Sequence, residues 1–167
     1  MESIQYRRAD LADVPALAEL KSGYVQVIYR GFVPEAVIKQ AEPGYYLPQF
    51  NCWIKHADMH LDIQLAEETP VGYVVYGPDP TDAASGLILD SGIDLRQHRA
   101  DQGALYVHAL GMLAQMGFTH VNKWVIRDNF RLRFLLERNG FKDDGVRKMV
   151  DLAQQPTELA RYSYRHP

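Results

Sequence analysis

Several things are scarce in this chain. It holds one cysteine, Cys52. A single thiol excludes an intrachain disulfide and leaves no partner for a cysteine-based zinc site. No apolar run approaches the ~20 residues a membrane-spanning helix needs, so no membrane partner is expected. No block of lysine and arginine stands out, and the net charge is −3 with both signs interspersed. A nucleic-acid binder ordinarily presents a basic face, so no nucleic-acid partner is expected. The start, Met1-Glu2-Ser3-Ile4, lacks the basic and apolar regions of a secretory leader, and the expected setting is the cytoplasm. No metal site is expected, because His108 and His120 have no partners at ligand spacing. Neither a G-x-S-x-G elbow nor a phosphate-binding G-x-x-x-x-G-K run occurs.

What is present fits one globular domain over 1–167. The chain has 167 residues, 47% hydrophobic and 23% charged, which is enough for a full core. Ten tyrosines exceed what a minimal core needs, so some are expected to line a cleft.

The pattern along the chain is mixed. Ile4 to Arg8 alternates as a strand. Asp10 is placed to cap a helix, with Asp13 in its first turn and an apolar face at Leu11, Val14, Leu17 and Leu20. Pro34 suits the start of a short helix over 35–40, which Pro43-Gly44 is expected to stop. A further helix over 45–56 follows, with Pro48 near its start. Residues 61–65 and 71–76 read as a hairpin, and GPDPTDAAS, 77–85, as a loop by composition. Residues 86–95 read as a fourth strand, with a bulge expected at Ser91-Gly92. An apolar helix over 103–116 is closed by Gly117. Then come a strand over 121–126, a helix over 129–138 ended by Gly140, and a final hairpin, 141–152 and 158–164, turning at Gln154-Gln155-Pro156. Long helical connections demand parallel strands and tight turns antiparallel ones. The expected class is α/β (α+β), a single mixed sheet of about seven strands with helices on both faces.

Four stretches carry a resemblance. The first is Trp124-Val125, Asn129, Arg133-Phe134, Glu137-Arg138 and Gly140-Phe141. The second is Tyr29-Arg30-Gly31-Phe32-Val33-Pro34. The third is Ala66-Glu67-Glu68 with Val71-Gly72-Tyr73, and the fourth is Arg161-Tyr162-Ser163-Tyr164. Together, in this order, they resemble the GNAT superfamily of acyl-CoA-dependent N-acetyltransferases, specifically its bacterial members with a YRG-type segment. The resemblance implies a splay between strands four and five and acetyl-CoA (coenzyme A) as cofactor. Backbone around Ile93 and Leu95 would pair with pantetheine, and Asn129 would orient pantetheine or the thioester sulfur, with Phe134 beside it. The loop His98, Arg99, Ala100, Asp101, Gln102, Gly103 and Ala104 would hold the pyrophosphate on free amides at a helix N-terminus.

The chain departs from that pattern at three places. The family loop reads R/Q-x-x-G-x-G/A. Two registers fit, starting at Arg99 or at His98; the second is preferred and puts Asp101 where a glycine belongs, a carboxylate that repels a diphosphate unless it turns away. Arg96, His98 and Arg99 either compensate as phosphate ligands or form a solvated loop. Leu136 stands where relatives often carry a tyrosine acid, and Leu87 where many carry a glutamate base. Asp90 and Tyr106 are then candidate catalytic groups, with Asp94, His60, Glu67 and Tyr76 on or near neighbouring strands. Arg127, Arg131 and Arg138 share roughly one helical face, which either steers the cofactor's 3′-phosphate or is simply solvated. Tyr24, Tyr29, Tyr46 and Trp53, with Tyr45 and Phe50, lie in segments that cover the acceptor in this fold.

The implied function is transfer of an acetyl group from acetyl-CoA to an amine of a small molecule or peptide. The alternative is a GNAT-fold binding or regulatory module with little transferase activity. The resemblance implies that the last hairpin can support a homodimer, as it does in relatives.

Overall fold

A computed structural model describes residues 3–167; Met1 and Glu2, at the start read for a leader, lie outside the described residues. The elements are β1 (Ile4–Arg8), a 3-10 turn (Leu11–Asp13), α1 (Val14–Ile28), α2 (Glu35–Gln40), α3 (Pro43–Lys55), β2 (His60–Ala66), β3 (Thr69–Asp79) and β4 (Asp82–Ile93). They continue as α4 (Gln102–Gln115), β5 (His120–Ile126), α5 (Phe130–Arg138), β6 (Lys142–Leu152) and β7 (Gln155–Arg165). One mixed sheet runs in the order β1-β2-β3-β4-β5-β7-β6. Among the described strands only β4 and β5 pair in parallel, and the α4 crossover is the connection that allows it. No described helix is long and apolar enough to cross a membrane.

Two apolar cores hold the sheet between helices. Leu17 and Ala18 of α1 and Phe50 of α3 pack with Ile63 and Tyr73. Leu105 and Leu113 of α4 and Leu136 of α5 pack with Ile88, Val125 and Tyr162. Phe50 meets the Tyr73 ring edge-on at 5.0 Å, and truncating so buried an aromatic costs about 3–5 kcal/mol. Asp10 caps the turn as expected, accepting from Ala12 N, and Asp13 also accepts from Asp10 N, which closes a capping box; Leu11, expected on the apolar face, is exposed. Gly140 ends α5 at φ +88°, which a glycine adopts without strain.

The splay follows from strand registers. β4 and β5 pair at Gly86↔Val121 and Leu87↔Asn122 and then part. β4 stays on β3 as far as Ile93, while β5 stays on β7 as far as Ile126. From Ile88 onward the facing edge of β4 therefore has no strand partner.

Several boundaries differ from the sequence reading. The bulge is at Leu89, not Ser91-Gly92, since Val75 faces Asp90 and Tyr76 faces Ile88. It turns Asp90 toward α1 while Ser91 bonds Tyr106 of α4. The stretch 77–85 is mostly strand: β3 and β4 extend through it, and the turn is confined to Pro80-Thr81, where Asp79 accepts from both Thr81 N and Oγ1. Pro43-Gly44 opens α3 instead of stopping α2, because proline suits the first turn of a helix. The last hairpin turns at Ala153-Gln154, both at positive φ.

Candidate active site

Two cavities lie along the splay and share Tyr24 as a common wall. The first, about 280 Å³, is bounded by Ile93, Asp101, Gly103, Arg131, Phe134 and Arg138. The second, about 340 Å³, is bounded by Lys21, Tyr46, Tyr73, Asp90, Lys123 and Trp124.

At the first cavity the start of α4 is clamped in place. Gln64, fully buried on β2, accepts from Asp101 N at 3.0 Å and donates to Asp101 O at 2.9 Å. One amide side chain thus mimics a strand partner for the loop. Asp101 caps α4, its Oδ1 accepting from Ala104 N at 3.0 Å. The N–H groups of Gln102 and Gly103 in the first turn have no intrahelical acceptor. A Cβ on Gly103 would lie 3.1 Å from Asn139 Nδ2, so a side chain there would press on the end of α5. Arg131 and Arg138 supply positive charge on this wall. Arg96 instead makes two 3.0 Å bonds to Asp94, and Arg99 lies 3.8 Å from Glu67.

Asn129 caps α5, its Oδ1 accepting from Leu132 N at 3.2 Å. This bond fixes which end of the amide faces inward. Its Nδ2 is buried without a partner, and such a donor costs about 1–3 kcal/mol.

At the second cavity, Asp90 Oδ2 accepts from Lys21 Nζ at 2.7 Å and from Tyr73 Oη at 2.8 Å. Lys21 also donates to Gln49 Oε1 at 2.6 Å and lies 4.9 Å and 5.0 Å over the Tyr46 and Trp53 rings. Its donors are thus committed. Burial, then the Asp90 charge, pushes the Tyr73 hydroxyl well up. Asp90 Oδ1 has no side-chain donor among the described residues. Lys123, on β5, is 6% exposed, and its Nζ has no hydrogen-bond or ion-pair partner among the described residues. Burial lowers its pKa, with the Asp90 charge opposing and that of Lys21 reinforcing.

Tyr24 joins the two cavities. Its hydroxyl lies 2.8 Å from Gln102 Nε2, and burial pushes it up to about 12. Gln102 Nε2 also reaches Ser91 Oγ at 3.2 Å and Tyr106 Oη at 3.3 Å.

No protein-family model matches the chain, and no curated protein sequence matches it. Solved structures do. A PaiA N-acetyltransferase from Thermoplasma acidophilum, in complex with coenzyme A, matches with a TM-score of 0.72 at 17% identity, over 98% of this chain and 99% of that one. A GCN5-related N-acetyltransferase from Rhodopseudomonas palustris matches with a TM-score of 0.74 at 14% identity, over 99% and 98%. The ribosomal-protein-S18-alanine N-acetyltransferase of Escherichia coli matches with a TM-score of 0.71 at 13% identity, over 98% and 94%. The chain has the GNAT fold.

Within the GNAT fold, the residues singled out from sequence are partly brought together. Ile93, Asp101, Gln102, Gly103 and Phe134 meet at the first cavity, and Tyr24, Tyr29, Tyr46 and Asp90 at the second. Trp53 sits against Lys21 and lines neither cavity. Leu95 and His98 line neither; Leu95 borders a separate hollow with Arg96. Ala104 is placed by its bond to Asp101. Asn129 is fully buried and lines neither cavity. Tyr106 is fully buried and lines neither cavity; its oxygen accepts from Ser91 Oγ.

Other candidates are committed elsewhere. Asp94 lies past the end of β4 and holds Arg96. Tyr76 donates to Asp62 at 2.6 Å, His60 stacks on Tyr76, and Glu67 is in a hairpin turn. Arg127 pairs with Glu158 at 3.0 Å, away from the cavity that Arg131 and Arg138 line. Leu87 and Leu136 belong to the buried apolar core. Sequence reasoning missed Lys21, Tyr73 and Lys123. The signal for Lys21 was its place on the buried stripe Leu17, Tyr24 and Ile28 of α1. For Lys123 it was alternation between Val121 and Val125, both core residues.

Proposed function

We propose that the protein is an acetyl-CoA-dependent N-acetyltransferase acting on an amine of a small molecule, with the first cavity for the cofactor and the second for the acceptor. The observation that carries this reading is the meeting of the two cavities at Tyr24, beside the unpaired edge of β4. An extended chain can pair with such an edge as an added strand would. Acetyl-CoA supplies an acetyl thioester when bound. The residues fit it: Gln102 and Gly103 offer first-turn amides for a diphosphate, Arg131 and Arg138 offer charge, and Asn129 Nδ2 is a buried donor without a partner.

With Leu87 and Leu136 in the core, other groups take the proton work. Asp90 Oδ1 is the proton acceptor for an acceptor ammonium, held in place by the bonds on Oδ2. Tyr24 keeps a proton at its hydroxyl, on the boundary between the cavities; that proton is donated to Gln102 Oε1 at 3.1 Å and would turn from there to a leaving sulfur. Positioning supplies much of the rest, up to about 7–11 kcal/mol in well-oriented systems.

The chain is also proposed to be of the YRG-type bacterial group, cytoplasmic and homodimeric. The last of these is supported by β6, exposed along most of its length with Val146 and Met149 outward. One observation favours the second reading, a binding or regulatory module. The Asp101 carboxylate already sits on the α4 N-terminus, where it competes with a phosphate. Calorimetric titration with acetyl-CoA, followed by a thiol-release assay with mixed primary amines, separates the two. Saturable binding and amine-dependent thiol release are expected. Binding without release supports the module, and no binding at millimolar acetyl-CoA overturns the transferase reading and leaves the module.

A further inference from the structure

The charged side chains on the second cavity do not balance. Lys21, Asp90 and Lys123 line it. Lys21 is neutralised by Asp90 and satisfied by Gln49 and two aromatic rings. Lys123 remains, buried on β5 and lining the same cavity as Asp90 of β4, with no hydrogen-bond or ion-pair partner among the described residues. A buried cation without a counter-ion is costly, and a cavity wall is where a ligand can remove that cost.

We propose that the acceptor is an amine that also carries a carboxylate, a free amino acid or close analogue, and that Lys123 pairs with that carboxylate while Asp90 takes the amine. The inference rests on the transferase reading above and narrows its substrate. The cavity, about 340 Å³, suits a small molecule and not a folded protein surface. Tyr45, Tyr46, Trp124, Val33 and Val150 surround the charged floor, so the third group of the acceptor is apolar or aromatic. A polyamine is disfavoured, since its second ammonium would meet Lys21 and Lys123 with only one carboxylate present. A peptide N-terminus is disfavoured too, because its carboxylate lies far from its amine. The reaction balances as an ordinary acetyl transfer. An amide N–C bond forms and the thioester C–S bond breaks. The proton lost by the amine is matched by the one gained by the thiolate.

The test is a panel of L-α-amino acids, each beside the amine that lacks its carboxylate, assayed by thiol release with wild type, Lys123→Met and Lys123→Arg. Acetyl-CoA binding is measured by calorimetry on the same preparations. For at least one apolar or aromatic pair, the amino acid should be favoured at least tenfold in kcat/KM through a lower KM. Lys123→Met should bring that ratio close to one, and Lys123→Arg should restore part of it. Equal or better turnover of the amines without carboxylate overturns the inference and leaves the transferase reading standing. So does a preference that survives in Lys123→Met, or retained acetyl-CoA binding with no amino acid acetylated. Loss of acetyl-CoA binding in the wild type sinks both.

Discussion

Lys21 Nζ lies 2.7 Å from Asp90 Oδ2, tying α1 to the bulge of β4 across 69 residues of sequence. Tyr73 Oη donates to the same oxygen at 2.8 Å. Buried ion pairs are weak evidence of stability, because desolvation offsets most of the attraction. This one has another consequence: with Oδ2 occupied, the carboxylate is oriented and Oδ1 is left for the cavity.

Asp90→Asn tests that role. The amide keeps the shape but cannot take a proton. Turnover should fall by about two orders of magnitude or more, the usual contribution of a general base. The dissociation constant for acetyl-CoA should stay near wild type, since Asp90 lines the other cavity. Steady-state kinetics with calorimetry checks both, and an unchanged kcat removes Asp90 from the mechanism.

Lys123 gives a stability expectation with a definite sign. Its native pKa lies below the ordinary lysine value of 10.5 because burial disfavours the charge. Below the native pKa both folded and unfolded states carry the proton, and the full cost of burying the charge is felt. Between the native pKa and about 10.4, the unfolded state binds more protons, so stability rises with pH. Lys123→Met should therefore be more stable than wild type at pH 7, and its advantage should shrink as pH approaches 10. Melting temperatures at several pH values read this out. A constant difference would mean that Lys123 is not desolvated.

Asp101→Asn separates cap from charge. Asparagine caps as well as aspartate, so α4 should remain. Removing one negative charge near the first-turn amides should tighten acetyl-CoA roughly fivefold, about 1 kcal/mol of near-surface repulsion. The gain should shrink at high salt. Weaker binding in Asp101→Asn would show that the carboxylate assists the site.

Asn129 has a structural and a proposed binding role, and two variants divide them. Asn129→Ala removes the cap of α5 and should cost about 1 kcal/mol of stability. Asn129→Asp keeps a capping oxygen but loses the Nδ2 donor. The aspartate variant should recover the melting temperature and not the acetyl-CoA affinity. Recovery of both would make Asn129 a cap alone.

How much of this was legible in the sequence depended on the range of the cause. Local causes were readable: the Asp10 cap, the Gly140 stop and the order of strands and helices all follow from neighbours in the chain. Asn129 was readable as the start of α5, though its capping bond to Leu132 was not. The run 77–85 misled because its Gly, Pro and Asp residues sit in strands that pair with each other, and pairing outweighs composition. The Leu89 bulge depends on how β4 meets β3, which no single strand reveals. The site was the least readable part. Lys21 and Asp90, Gln64 and Asp101, and Tyr24 and Gln102 are far apart in sequence, and they meet only once the sheet and α4 are in place.

The central claim is that the splay holds acetyl-CoA with its diphosphate at the start of α4 and its thioester end at Tyr24. A crystal structure with coenzyme A tests it most directly. Density for the diphosphate at the amides of Gln102 and Gly103, with the pantetheine along the free edge of β4 toward Ser91, is the expected result. Coenzyme A bound elsewhere, or a cleft that stays empty at saturating ligand, would contradict it.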